Sequence, residues 1–176
     1  LHPRYTDSYF NLTRKIVQEN GDAYVTYAVF MRRPVTLASK LAIDWLLKIT
    51  EERGVSVKIE KLFDEGAWVG AGEPMFYISG SMVALVDLET IFLQKLGAAC
   101  VAAYNAYHMS IELPNVGFIA MDARHCAGTE MAELMAYGAS VGSKKAISKN
   151  DAVGFIGCAA DATSNYFGMK YGMGTM

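Results

Sequence analysis

Two short apolar runs, at 116–121 and 152–156, are too far apart to form a hairpin, and the segment between them reads as an Ala- and Met-rich helix over 129–140. Strands joined through a helix run parallel, because a tight turn can only return the chain antiparallel. A further helix is expected over about 163–171. This strand–helix–strand–helix order selects a parallel sheet or a (β/α) barrel, and it also leaves the pattern unfinished. A parallel sheet needs both faces covered and a barrel needs about eight strands, yet only two are legible. Leu1 stands where an initiator Met would. The expectation is therefore a truncated piece, less than half of a longer protein.

The residues before this region read as mixed α+β. A helix over 8–18 is capped by Thr6 or Asp7 and ended by Asn20-Gly21. A Tyr- and Val-rich strand over 23–31 stops at Arg32-Arg33-Pro34. Thr36 is expected to cap a helix reaching Glu52, with Leu37, Leu41, Trp45 and Ile49 four apart. Val55, Val57 and Ile59 alternate with polar residues as a half-buried strand. Short strands over 67–69 and 75–79 lie among Gly66, Gly70 and Gly72. A helix over 80–96 is expected to break at Gly97, with a second helix over 98–108. Pro114 sets a boundary, giving an α/β N-terminal domain over 1–112 and the first strand–helix units of a barrel over 113–176. The fold class is α/β.

Composition narrows the function. Of 176 residues, 52% are apolar and 19% charged, with 16 Lys+Arg against 18 Asp+Glu. That excludes a disordered chain and non-specific nucleic-acid binding, which needs clustered basic residues. The charged fraction falls below the roughly 25% of an ordinary domain, so extra surface is expected to be covered by a continuation or by another subunit. Cys100, Cys126 and Cys158 are odd in number and fit no disulfide framework or paired-ligand metal motif, and a reducing cytoplasm is the default. No apolar run approaches the roughly 20 residues that span a bilayer, and no signal peptide is visible. His2, His108 and His125 lack zinc-site spacing, and no P-loop, dinucleotide fingerprint or serine-nucleophile motif is present.

Several residues have functional and bland readings side by side. Arg124 follows the strand over 116–121, and the C-terminal ends of parallel strands face ligand sites. It can pair bidentately with a carboxylate or phosphate, or form a surface ion pair. His125 beside it is an anion contact or a structural histidine. Thr163-Ser164-Asn165 opens the last helix as an anion or amide site, or as an ordinary N-cap. Arg32-Arg33 can hold phosphate or end a solvated strand. Tyr9 can stack on a planar ligand or on the core.

Seven segments together resemble the nicotinate phosphoribosyltransferase family, within the type II phosphoribosyltransferases that include the nicotinamide and quinolinate enzymes. They are Thr6-Asp7-Ser8-Tyr9, the aromatic strand from Tyr27 to Arg33, Gly72-Glu73-Pro74-Met75 with Leu88-Glu89-Thr90, Asp122-Ala123-Arg124-His125, Ala162-Thr163-Ser164-Asn165 and the glycine-rich end from Gly172. The resemblance implies an α/β domain packed on an irregular (β/α) barrel, in a homodimer with a shared active site. It implies a reaction between nicotinate and 5-phosphoribosyl-1-pyrophosphate, aided by Mg2+ and coupled to ATP hydrolysis through a phosphorylated histidine. That histidine and most phosphate and metal ligands would follow Met176, so no catalytic or metal residue is assigned here. By position, Tyr9 would stack on the pyridine across the interface and Arg32 would hold the phosphates. Arg124 would contact the ring substituent or the ribosyl phosphate. Met121 stands where some relatives have a stacking Phe, and His125 where many have a second arginine. Ser164 replaces the Asp of nicotinamide-using relatives, and a hydroxyl can donate to a carboxylate that Asp would repel. The rivals are a quinolinate enzyme, a non-catalytic binding or assembly protein keeping a fragment of this fold, and a (β/α) enzyme for another phosphorylated sugar.

Overall fold

Alternating and helical patterns take turns along the chain, and the computed structural model, which describes residues 3–174, realises both. A 3-10 turn over Pro3–Tyr5 leads into α1 (Ser8–Asn20), β1 (Tyr24–Phe30), β2 (Val35–Thr36), α2 (Lys40–Glu52), β3 (Lys58–Lys61), β4 (Trp68–Val69) and β5 (Pro74–Ser81). Then come α3 (Met82–Leu85), a 3-10 turn over Val86–Leu88, α4 (Glu89–Glu112), β6 (Gly117–Ala120) and a 3-10 turn over Asp122–Arg124. The chain closes with α5 (Thr129–Asn150), β7 (Gly154–Cys158) and a 3-10 segment over Asp161–Phe167. The fold is α/β, as expected. His2 and the Thr175-Met176 end of the glycine-rich run lie outside the described residues.

β5 lies between β1 and β3, antiparallel to both, with Val29 opposite Phe76 and Tyr27 opposite Ile78. Because side chains alternate across a strand, Val29, Phe76 and Ile78 share one face. That face packs on Leu46 and Ile49 of α2 and on Phe92 and Leu96 of α4, all in one buried cluster. The Phe76 and Phe92 rings meet edge to face at 5.9 Å. β6 and β7 pair parallel, with Ala120 opposite Cys158, and α5 makes the crossover between them.

α4 and α5 approach each other through small residues. Ala99, Ala103 and Ala106 of α4 are buried, as are Gly138, Ser143 and Ala146 of α5. A Cβ added at Gly142 would lie 2.8 Å from the Ala103 carbonyl carbon and 2.9 Å from the Tyr107 nitrogen, with the Ala103 oxygen closer still. Asp87, fully buried in the 3-10 turn before α4, accepts from both terminal nitrogens of Arg53, at 2.7 and 2.9 Å, and pairs with Arg14 at 3.4 Å. One carboxylate thus ties α1 and the end of α2 to the start of α4.

Four expectations are corrected. Thr36 caps no helix. It lies in β2, paired with Trp68, and Leu37 continues the ladder by donating to the Ala67 carbonyl at 2.8 Å, so α2 starts only at Lys40. Gly97 does not break a helix; α4 runs through it, because burial of α4's apolar face outweighs the roughly 1 kcal/mol helix cost of a glycine. The interruption falls instead at the turn that aims Asp87 at its arginines. α5 extends ten residues past Ser140, its later turns seated by Gly142, Ser143 and Ala146. The helix expected over 163–171 is a 3-10 segment that ends at Gly168, whose φ of 72° is a left-handed conformation suited to glycine.

Candidate active site

The open end of the parallel pair gathers most of the candidates. β6 and β7 point the same way, so their C-terminal ends lie side by side, and the Ala159 amide donates to the Ala120 carbonyl at 2.9 Å. After β6 come Met121, the turn over Asp122–Arg124 and His125; after β7 comes the segment holding Thr163 and Ser164. The chain returns over this end, with the Met173 amide donating to the Cys158 carbonyl at 2.7 Å and the Gly172 amide to Asp161 Oδ1 at 2.7 Å.

Arg124 and His125 are exposed, and Arg124 makes no ion pair among the described residues. Below their loop, Lys95 of α4 is 8% exposed, bonds Glu130 in the first turn of α5 and lies 5.7 Å from the centre of the Trp45 ring. That ion pair fixes where the loop re-enters the fold. Asp122 is a residue that sequence reasoning left out of the site. It is half-buried, and burial raises its carboxyl above the usual range. Its place one residue past Met121, beside a strand end, was the available signal.

Thr163 and Ser164 do not open a helix with free hydroxyls. Both are buried. Thr163 Oγ1 lies 3.3 Å from Cys158 Sγ and 3.4 Å from the Ala160 carbonyl, and Ser164 Oγ donates to the Asp161 carbonyl at 2.8 Å. Their proton-donating capacity is directed at the protein, so here they shape the turn.

Tyr9 and Arg32 belong to a second group. Tyr9 lies on α1, 59% exposed, with its ring 4.2 Å from Phe10. Burial, then the Asp7 and Glu89 carboxylates, push its phenol up. Arg32 follows β1 and lines a cavity of about 330 Å³ with Tyr27, Phe30, Glu89 and Leu93. Burial, then Glu89, raises the Tyr27 phenol, and burial, then Asp7, raises the Glu89 carboxyl. Among the described residues, no hydrogen bond or ion pair joins this group to the β6–β7 end.

The raised Glu89 carboxyl has a signed consequence. Between the ordinary value of 4.5 and its raised value, the folded state holds more protons than the unfolded one. Glu89 therefore lowers stability as pH rises through that window. Glu89→Gln is expected to raise the melting temperature relative to wild type at pH 7 and to lose that advantage near pH 4, by thermal unfolding at both values.

A family model described as quinolinate phosphoribosyl transferase, N-terminal domain, matches residues 7–100, more than half of the chain. The chain belongs to this family. It is similar in structure to a nicotinate-nucleotide pyrophosphorylase from Pyrococcus furiosus, with 22% identity and a TM-score of 0.71 over 99% of this chain and 42% of that one. It is also similar to human nicotinic acid phosphoribosyltransferase, with 17% identity and a TM-score of 0.75 over 98% of this chain and 39% of that one. The nicotinate-nucleotide pyrophosphorylase from Ehrlichia chaffeensis matches 74% of this chain and 46% of its own, at 17% identity and a TM-score of 0.60. At these identities the likeness is one of fold, and this phosphoribosyl transferase family chain spans about two fifths of the length of the first two structures. No curated protein matches it. No helix among the described residues is long and apolar enough to cross a membrane.

Proposed function

We propose that the chain serves a nicotinate phosphoribosyltransferase, which joins nicotinate to 5-phosphoribosyl-1-pyrophosphate, with ATP hydrolysis, in NAD salvage. The observation that carries this reading is Arg124, an exposed guanidinium at the C-terminal end of β6 without an ion pair among the described residues, and with His125 beside it. One guanidinium fork matches one carboxylate, whereas quinolinate presents two. In this reading the pyridine nitrogen attacks C1 of the ribose as the bond to pyrophosphate breaks. Positive charge builds on the sugar and negative charge on the leaving group, and arginines placed at those positions stabilise both. Arg124 holds and orients the pyridine acid. In this reading Tyr9 and Arg32, which no hydrogen bond or ion pair among the described residues joins to the β6–β7 end, serve the partner's site in a homodimer.

Mg2+ would neutralise charge on the departing pyrophosphate. Among the described residues no group of three His, Cys, Asp or Glu side chains stands close enough to hold a metal ion. These residues form no protein cage for Mg2+, which would instead be carried on the phosphates of the substrate. The quinolinate reading draws on the family model itself.

The test uses the protein in its natural full length, with phosphoribosyl pyrophosphate, ATP and either acid. Nicotinate mononucleotide formed faster from nicotinate than from quinolinate is expected. Preference for quinolinate would reverse the assignment, and turnover of neither would favour the binding or assembly reading. Arg124→Ala is expected to lower kcat/KM for nicotinate about tenfold or more, the worth of a charge-assisted hydrogen bond, with an unchanged circular dichroism spectrum.

A further inference from the structure

Asp7 occupies the N-cap position of α1 but makes no side-chain cap hydrogen bond. That gives up roughly 1 kcal/mol available to an N-cap aspartate, and the expectation that Asp7 or Thr6 caps α1 is not met. Both side chains turn instead to Thr90, 83 and 84 residues away on the first turn of α4. Thr90 Oγ1 accepts from the Asp7 amide at 3.1 Å and from Thr6 Oγ1 at 3.3 Å, and donates to Asp7 Oδ2 at 3.0 Å. One donor and two acceptor sites are all a hydroxyl has, and all are used on this turn. Thr6 is buried beneath it. Two residues past Asp7, Tyr9 stands exposed on the helix that this turn starts, and the Asp7 carbonyl accepts from the Phe10 amide at 3.0 Å.

We infer that Thr90 is a positioning residue whose hydroxyl fixes the direction of α1's first turn and so the place of the Tyr9 ring, setting affinity for the flat pyridine substrate. The substrate half of this inference rests on the proposed phosphoribosyltransferase reading. None of α1's residues is buried, so α1 has little apolar anchorage of its own. Its start is held by polar bonds to Thr90, and its middle by Arg14, which donates to the Val83 carbonyl at 3.0 Å. Thr90 also sits next to Glu89, whose carboxylate acts on the Tyr9 phenol. The node therefore fixes the ring relative to the Arg32 cavity that Glu89 lines.

The test compares wild type, Thr90→Val and Thr90→Ser in the full-length protein. Valine keeps the shape and removes every hydrogen bond; serine keeps the hydroxyl. Hydrogen exchange at the Asp7 amide and the Tyr9 ring resonance by NMR read the placement. Exchange at least tenfold faster and a shifted Tyr9 signal are expected in Thr90→Val, with return toward wild type in Thr90→Ser. The pyridine-acid KM is expected to rise about fivefold in Thr90→Val, as for one lost hydrogen bond, with kcat within twofold. Unchanged exchange and an unshifted ring would overturn the inference whatever the activity. A melting-temperature loss with KM unchanged would make Thr90 a structural residue only. A wild type that turns over neither acid would remove the catalytic reading and the substrate half with it, while exchange and the ring signal still decide whether Thr90 places Tyr9.

Discussion

A single methyl group at Gly142 is expected to destabilise the fold by about 3 kcal/mol or more, beyond the usual 1–3 kcal/mol of an overpacked core. The added Cβ would press on the backbone of Ala103 and Tyr107 in the facing helix. A crowded side chain can change rotamer, but a backbone carbonyl within α4 can move only if the two helices separate. Separation strips contacts along the whole seam of small residues, from Ala99 to Ala106 and from Gly138 to Ala146. Gly97→Ala is the control. It lies in the interior of α4, and its nearest atom would be the Met31 methyl at 4.0 Å. There the substitution is expected to stabilise by about 0.5–1 kcal/mol, because alanine is the better helix former. Urea unfolding of both variants measures the contrast. A Gly142→Ala midpoint equal to that of wild type would show that the helices do not approach as described.

Asp87→Ala is expected to cost about 3–5 kcal/mol, as for breaking a buried ion pair. The carboxylate is fully buried, and its removal leaves Arg53, with a side chain 21% exposed, without its counter-charge. Arg14→Ala is expected to cost less, since that arginine is a third exposed and its contact is the longer one, 3.4 Å against 2.7 Å. The order Asp87→Ala, then Arg53→Ala, then Arg14→Ala in denaturant midpoint tests the geometry. If Arg14→Ala were as costly as Asp87→Ala, the Arg53 fork would not be the principal partner. The same cluster bears on the candidate site. Arg14 ties α1 to the 3-10 turn before α4, and α1 carries Tyr9, so loosening Asp87 loosens Tyr9 as well.

Cys100 shows how burial removes a residue from the chemistry. Its thiol accepts from the Ala38 amide at 3.4 Å, and burial pushes it up to about 12. It packs as a small apolar side chain, and alkylating reagents are expected to spare it in the folded protein while labelling it in urea.

Most of the order of strands and helices, β2 and the 3-10 turn before α4 excepted, the parallel relation of the two late strands and the place of Arg124 at the end of one of them were determined by sequence alone. Each rests on local chemistry: alternation in β1, spacing in α2, and a crossover too long for a hairpin between β6 and β7. The match over residues 7–100 agrees with the type II phosphoribosyltransferases that the motifs suggested and leaves the member within them open. What local pattern misread has a common cause. Gly97 looked like a break because its helix cost is local, while the burial of α4's apolar face that outweighs it comes from the tertiary fold, and α5 looked ten residues too short because its later turns are seated by Gly142, Ser143 and Ala146, whose small size lets a second backbone come close. Thr36 looked like a cap because its partner, Trp68, is distant in sequence. Thr163 and Ser164 looked like free hydroxyls until the fold turned them toward Cys158 and the Asp161 carbonyl. Asp7 looked like a cap, and Thr90, 83 residues on, took its carboxylate instead. Sequence fixes which groups can donate, accept or pack. Only the tertiary structure decides which of them are used up inside the protein, because that depends on a partner brought close from far along the chain.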